Sequence, residues 1–293
     1  NVTVIERGEF GQEASWAAGG ILAPQVEADH ADEFFELASA SRDLYPAFAR
    51  ALHEETGIDV QLEQTGTLYV GFNEDDEQKM HRRFAWQTRA GLHVERLSGE
   101  DARWLEPSLS PHARCALRFP NDWQIENRRL ISALIRANQK LGVQLIANCE
   151  IKSVRIEAGR VSGIESERTS IDAATVVIAA GAWTPQIKTS ETTSSAVQIE
   201  PVRGQMLCFQ IEPAFAHHVI YSARGYLVPR RDGRLLAGST SEHVGFDKRV
   251  TDEGTASIKS MAFEIAPELE SAAIVDSWAG FRPHAPDDLP VLG

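Results

Sequence analysis

Cysteine is scarce, with three in 293 residues. Cys115, Cys149 and Cys208 stand far apart and have no metal-ligand spacing. A disulfide framework and a thiolate metal centre are therefore not expected, and the three read as reduced core thiols of a cytoplasmic protein. Long apolar runs are missing too. None reaches the ~18 residues that a membrane span needs. Basic excess is also absent: 29 Lys and Arg stand against 42 Asp and Glu, a net charge of -13. Nucleic acid and anionic membranes select basic faces, so neither is an expected partner. No repeat, low-complexity segment or signal peptide is visible, and the chain begins inside a strand. What the chain does have is 43% hydrophobic residues. That suffices for one large or two modest cores, and its length suggests about two domains.

The reading centres on the first stretch, NVTVIERGEFGQEASWAAGGILAP. Asn1–Ile5 is apolar and β-branched and ends on Glu6. A run of small residues follows at Ala14, Ser15, Ala17, Ala18, Gly19 and Gly20. An acidic residue ending the second strand of a dinucleotide-binding unit takes ribose hydroxyls, about 20 residues after a glycine-rich turn. That turn would precede Asn1. Small residues let backbone approach a flat ligand, because no side chain intervenes. An apolar strand ending in Glu-Arg is equally an ordinary edge-of-strand pattern.

Beyond this stretch, the spacing of Phe34, Leu37, Leu44, Phe48 and Leu52 predicts helix over His30–Glu55, with two helices or a kink at Pro46. Strands are expected at Thr67–Phe72 and Arg114–Phe119, and helices at Glu74–Ala90 and Asn127–Leu141. Ser98 with Asp101 predicts a helix start, and Gly142 a helix stop. Short strands follow at Gln144–Ile146, Ile151–Ile156, Val161–Glu165 and Thr175–Ala179, with Ala158-Gly159 as a hairpin turn. The last of these, apolar throughout, predicts a strand buried on both faces. Lys188–Ala196 is expected to be a loop. From Val197 the chain is β-rich, with strands at Met206–Ile211, Tyr226–Pro229, Leu235–Ala237 and Ile274–Trp278, and a helix at Asp252–Ile265. Strand–helix–strand ends around a β-rich block suggest an α/β domain interrupted by a substrate domain.

The motifs Glu6-Arg7 with GQEASWAAGGILAP, VVIAAGAWTP, PVRGQM, YLVPRRDGRLLAGST and WAGFRPHAPDDLPVLG occur in that order. With them the sequence resembles the D-amino-acid-oxidase-like FAD flavoproteins, and within that family the glycine oxidases of thiamine biosynthesis. The resemblance implies a bilobal α/β fold. A Rossmann-like FAD-binding lobe (1–60, 125–190 and 277–293) would join an antiparallel-sheet α+β substrate lobe (61–124 and 191–276). It also implies non-covalent FAD, a small amino acid or amine as substrate and O₂ or another electron acceptor; a homo-oligomer is compatible. By similarity, Glu6 would take the adenosine ribose with Arg7 beside it. Ala14, Ser15, Trp16, Ala17, Ala18, Gly19, Gly20 and Ile21 would run past the pyrophosphate, ribityl chain and flavin ring. Ile151 would meet the adenine through its backbone, while Ala180, Gly181 and Trp183 would border the cofactor. Tyr226 matches a substrate-side tyrosine and Arg282 the arginine that holds the substrate carboxylate. A sarcosine oxidase or D-amino-acid dehydrogenase of the same family, and an inactive fragment without FAD, are the rival readings. No Cys lies near Arg282 in sequence, which disfavours a covalently held flavin.

Positioning an amino acid needs a cation, and a guanidinium serves best through paired charge-assisted hydrogen bonds. Arg282, between a strand end and Pro283, is the candidate; the ordinary alternative is a surface arginine. Tyr226 could donate to the same carboxylate or simply pack in a strand. Arg224, two residues earlier, would share its strand face as a second cation. Trp16 and Trp183 could shield a flavin or pack in the core. His217, His218 and His284 read as surface or loop residues, and Asp287-Asp288 as side chains that point apart. No metal ligands are expected.

Overall fold

The computed structural model describes residues 1–189, 197–212 and 215–292. Its largest sheet has eight strands in the order Ala273–His284, Glu200–Gln210, Arg234–Gly238, Gly225–Pro229, Val219–Ser222, Thr67–Gly71, Cys115–Phe119 and Glu95–Ser98. All neighbours are antiparallel except Val219–Ser222 and Thr67–Gly71, which run parallel. The central strands are buried on both faces, and the two-residue period divides their side chains between two cores. Leu207, Phe209, Leu235 and Ala237 pack against Ile258, Met261, Ala262 and Ile265 of the helix Asp252–Ile265. Met206, Cys208, Leu236 and Val228 face the other way, toward Ala17, Ala23, Val26 and Met80. The small-residue stretch thus lies directly on the sheet's second face.

The remaining strands are shorter. Thr3–Ile5 pairs in parallel with Gln144–Ile146. Ser170–Asp172, Arg160–Ser166, Ile151–Glu157 and Lys188–Thr189 form a second sheet, turned at Ala158 and Gly159 by positive φ angles of 51° and 73°. Lys188–Thr189 is a strand rather than loop; 190–196, the rest of the expected loop, lie outside the described residues. The helix Gly99–Leu105 starts on a full capping box between Ser98 and Asp101. Among the described residues, no helix is long and apolar enough to cross a membrane.

Three further expectations are corrected. Residues 33–56 form one helix with Pro46 inside it, not two helices. Its packed side is Phe35, Tyr45, Ala49 and Leu52, while Phe34, Leu37, Leu44 and Phe48 are exposed. Both sides carry apolar residues, and the neighbouring helix Asn127–Lys140 covers only one. Thr175–Ala179 is not a strand: no described strand lies beside it to complete a ladder, and Val177 is 83% exposed. His218 is buried, not superficial. The fully buried Glu106 carboxylate needs donors; it accepts the backbone N–H of His217 and His218 and lies 2.6 Å from His218 Nδ1.

Candidate active site

The stretch Ala14–Gly20 owes its path to side chains far away in sequence. Asn127 Nδ2 donates to the carbonyls of Ser15 (2.7 Å) and Trp16 (3.0 Å). Trp278 Nε1 donates to Ala17 O at 2.9 Å, and Arg230 Nη2 to Gly19 O at 2.7 Å. Gly20 has φ +68°, and a Cβ there would stand 2.1 Å from Ile125 O, so only glycine fits. A carbonyl-by-carbonyl clamp therefore shapes a surface without large side chains.

That surface is one wall of a cleft of about 740 Å³. Ser15, Ala18, Gly19, Gly20 and Ile21 line it together with Tyr226 and Arg282 from the large sheet. Asn127 and Leu130 of the helix Asn127–Lys140, with Glu27, Tyr69, Arg83, Tyr221 and Ser239, close the rest. Arg282 sits in the strand Ala273–His284, opposite Val202. Its Nη1 donates to Thr240 O at 3.1 Å and its Nη2 to Ser239 Oγ. The guanidinium lies against Gly204, where a Cβ would stand 2.6 Å from Nη1. Among the described residues no carboxylate pairs with it. Tyr226 Oη lies 3.4 Å from the same Ser239 Oγ. Burial raises the Tyr226 pKa, with Ser239 and Arg282 pulling the other way, so the phenol remains a donor at neutral pH.

Other expected residues form a second group. Glu6 Oε1 accepts from Gly8 N at 3.0 Å, just past the strand Thr3–Ile5. The Arg7 guanidinium lies 3.7 Å over the Trp183 ring, which places Glu6-Arg7 beside the Ala180–Gly181 turn. Trp183 also stacks on Phe246 and meets Phe281 edge-on. Cys149 N donates to Glu6 O, which brings Ile151, at the start of its strand, near the same corner. Ala14, Trp16 and Ala17 do not line the cleft. Trp16 carries Arg128 at 3.5 Å over its ring and meets Trp278 edge-on, and Ala17 packs on Gly280.

Arg224 is corrected. It sits in the turn between two strands and reaches Glu264 and Ser260 on the outer helix, not the cleft. Four groups escaped the sequence reading. Arg230 is 6% exposed and binds Gln124, Ile125, Gly19 and Asn127. Burial lowers its pKa to about 10, which still leaves it charged at neutral pH. Tyr221 donates to Glu27 at 2.6 Å, and burial with the adjacent carboxylate pushes its pKa well up. Asp122 is buried and accepts from the N–H of Gln25 and Val26; burial pushes its pKa up to about 7. Arg230 lies within the motif YLVPRRDGRLLAGST, but no pattern marks which arginine turns inward.

A backbone wall of small residues suits a broad flat ring, and the cleft volume falls within the range of small-molecule and cofactor sites. A bare wall of this kind, facing an unpaired guanidinium on a large mixed sheet, has the build of a flavin-dependent oxidoreductase. The chain belongs to the FAD dependent oxidoreductase family, which matches residues 1–293. It is 34% identical to the glycine oxidase of Pseudomonas putida over 293 residues, 100% of this chain and 78% of the relative. It is 31% identical to the hydrogen cyanide synthase subunit HcnC of Pseudomonas aeruginosa, over 94% of this chain and 67% of the relative. The crystal structure of glycine oxidase from Geobacillus kaustophilus superposes with a TM-score of 0.94 at 31% identity, covering 100% of this chain and 78% of that one.

Proposed function

We propose that the protein oxidises glycine or another small amino acid or amine to an imine. The imine hydrolyses to a 2-oxo acid and ammonia. FAD, when bound, supplies the acceptor for the hydride from the substrate α-carbon and delivers the electrons to O₂, giving H₂O₂. Ser15, Ala18, Gly19, Gly20, Ile21 and Glu6 are the residues that would hold it, with Arg7, Ile151, Ala180, Gly181 and Trp183 at the second corner. The single observation that carries the reading is Arg282: a cation in the cleft with no carboxylate partner among the described residues. It would take the substrate carboxylate through two N–H groups while Tyr226 Oη donates a third bond. The names of the glycine oxidase relatives support this reading, and a place in thiamine biosynthesis goes with it.

The test is direct. The purified protein, supplied with FAD, should show flavin bands and release H₂O₂ and glyoxylate from glycine. Sarcosine and D-alanine, with oxygen uptake set against dye reduction, separate the oxidase from its relatives. Flavin bands without turnover of any of these amines would overturn the substrate reading.

Gly204 supplies a finer check. The three atoms nearest to a methyl at position 204 all belong to the Arg282 guanidinium, the far end of a flexible side chain. Gly204→Ala should therefore displace the guanidinium and leave the strand intact. Since small misplacements weaken oriented contacts steeply, glycine KM should rise about tenfold, with little change in the thermal midpoint. Steady-state kinetics and a thermal scan report the two separately.

A further inference from the structure

The cleft holds a second uncompensated charge, and its sign is negative. Glu27 ends the short helix Pro24–Glu27 and lines the cleft. Among the described residues no basic side chain lies within ion-pair distance of its carboxylate. The nearby Arg83 is spent elsewhere, on Val26 O, on Asp29 at 2.7 Å, and over the Tyr69 ring at 5.2 Å.

The carboxylate is nevertheless held in place. Tyr221 Oη donates to it at 2.6 Å. Its helix is anchored beneath by Asp122, which accepts the N–H groups of Gln25 and Val26, and by the Gln25 side chain on Gln87. From Glu27 a continuous wall leads to Arg282. Tyr221 lies against Tyr226 with ring centroids 5.4 Å apart, Tyr226 Oη reaches Ser239, and Ser239 Oγ accepts from Arg282. A cation and an anion thus face one cleft from the two ends of a tyrosine pair. Both side chains are exposed to the cleft, so a ligand that carries the complementary charges can meet each of them directly.

We infer that Glu27, steadied by Tyr221, binds the ammonium end of the substrate, so that the cleft selects a zwitterion: an amino acid with a free or N-methylated amine. Hydroxy acids and N-acylated amino acids, which carry the carboxylate alone, are disfavoured. The inference rests on the proposed amino acid substrate, yet half of its test does not. Glu27 is a binding residue here; Tyr221 acts through it and is a positioning residue.

The experiment uses the FAD-loaded full chain and three probes: acetate, ethylammonium and glycine. Acetate and ethylammonium binding are read from flavin absorbance or tryptophan fluorescence, and glycine from turnover. Glu27→Gln should weaken ethylammonium and raise glycine KM about tenfold, the worth of one lost charged contact. Acetate should bind equally or more tightly, because a repelling charge is gone. Tyr221→Phe should move the same two quantities in the same direction by a few-fold, again sparing acetate. Unchanged ethylammonium binding and glycine KM in Glu27→Gln would overturn the inference, as would equal weakening of acetate and ethylammonium. If wild type binds ethylammonium through Glu27 but turns over no glycine, the oxidase reading falls and the cation site stands. If wild type binds neither probe, both fall.

Discussion

Replacing Arg282 with alanine should raise KM for the amino acid by about two orders of magnitude or more, while flavin content stays at the wild-type level. Arg282 is exposed to the open cleft, and two charge-assisted hydrogen bonds to a bound carboxylate are worth about 1.5–3 kcal/mol each, where 1.4 kcal/mol is a factor of ten. The same substitution costs the apo fold little. Among the described residues Arg282 donates to Ser239 and to the Thr240 carbonyl and lies beside Tyr226, and its guanidinium is exposed, so water can take its place there. Binding and folding therefore separate at this position. Steady-state kinetics with glycine and the ratio of flavin to protein absorbance check both halves. Arg282→Lys should recover part of the loss, since a point charge replaces the fork but not its geometry. An unchanged KM would mean that the carboxylate is held elsewhere.

Arg230 is expected to behave in the opposite way. Arg230→Leu should cost about 3–5 kcal/mol of stability, from several acceptors left without donors at about 1–3 kcal/mol each, partly recovered by water. Those acceptors are the carbonyls of Gly19 and Ile125 and the side chains of Gln124 and Asn127. Since Gly19 belongs to the cleft wall, flavin retention should fall along with the denaturation midpoint. The neighbouring Arg231 is the control. It is half exposed and paired with Asp59 at 2.9 Å and with Glu63. Arg231→Ala should cost about 0–1 kcal/mol, as exposed pairs do. Urea denaturation of the two variants, side by side, tests the contrast. Similar midpoints would show that burial of Arg230 does not anchor the wall.

These two arginines mark the limit of what was legible in the chain. Local signals served well where local chemistry decides. The helix Asp252–Ile265 begins on Thr251 capping the Gly254 N–H, and the hairpin turn at Ala158-Gly159 follows from the backbone those residues tolerate. The eight-stranded sheet was partly legible, through its apolar strands from Val197 onward. Hidden were features set by partners distant in sequence. Which arginine of RRDG turns inward depends on acceptors near residues 19 and 124–127. Glu27 and Tyr221 lie 194 residues apart, so no spacing joins them. Thr175–Ala179 failed for the same reason: a strand needs a neighbour, and its own composition cannot supply one. The helix 33–56 carries apolar residues on two sides, and only the packing decides between them.

The clamp on Ala14–Gly20 also bears on how the molecule comes together. Its hydrogen bonds span 111, 112, 211 and 261 residues of chain. Contacts that close such long loops form late, after shorter ones have lowered the entropy of closure. The large sheet closes comparable lengths of chain, with Val219 beside Thr67, so wall and sheet depend on the same long-range closures. During synthesis the clamp is complete only once Trp278 has been made, so nearly the whole chain must exist before the wall does.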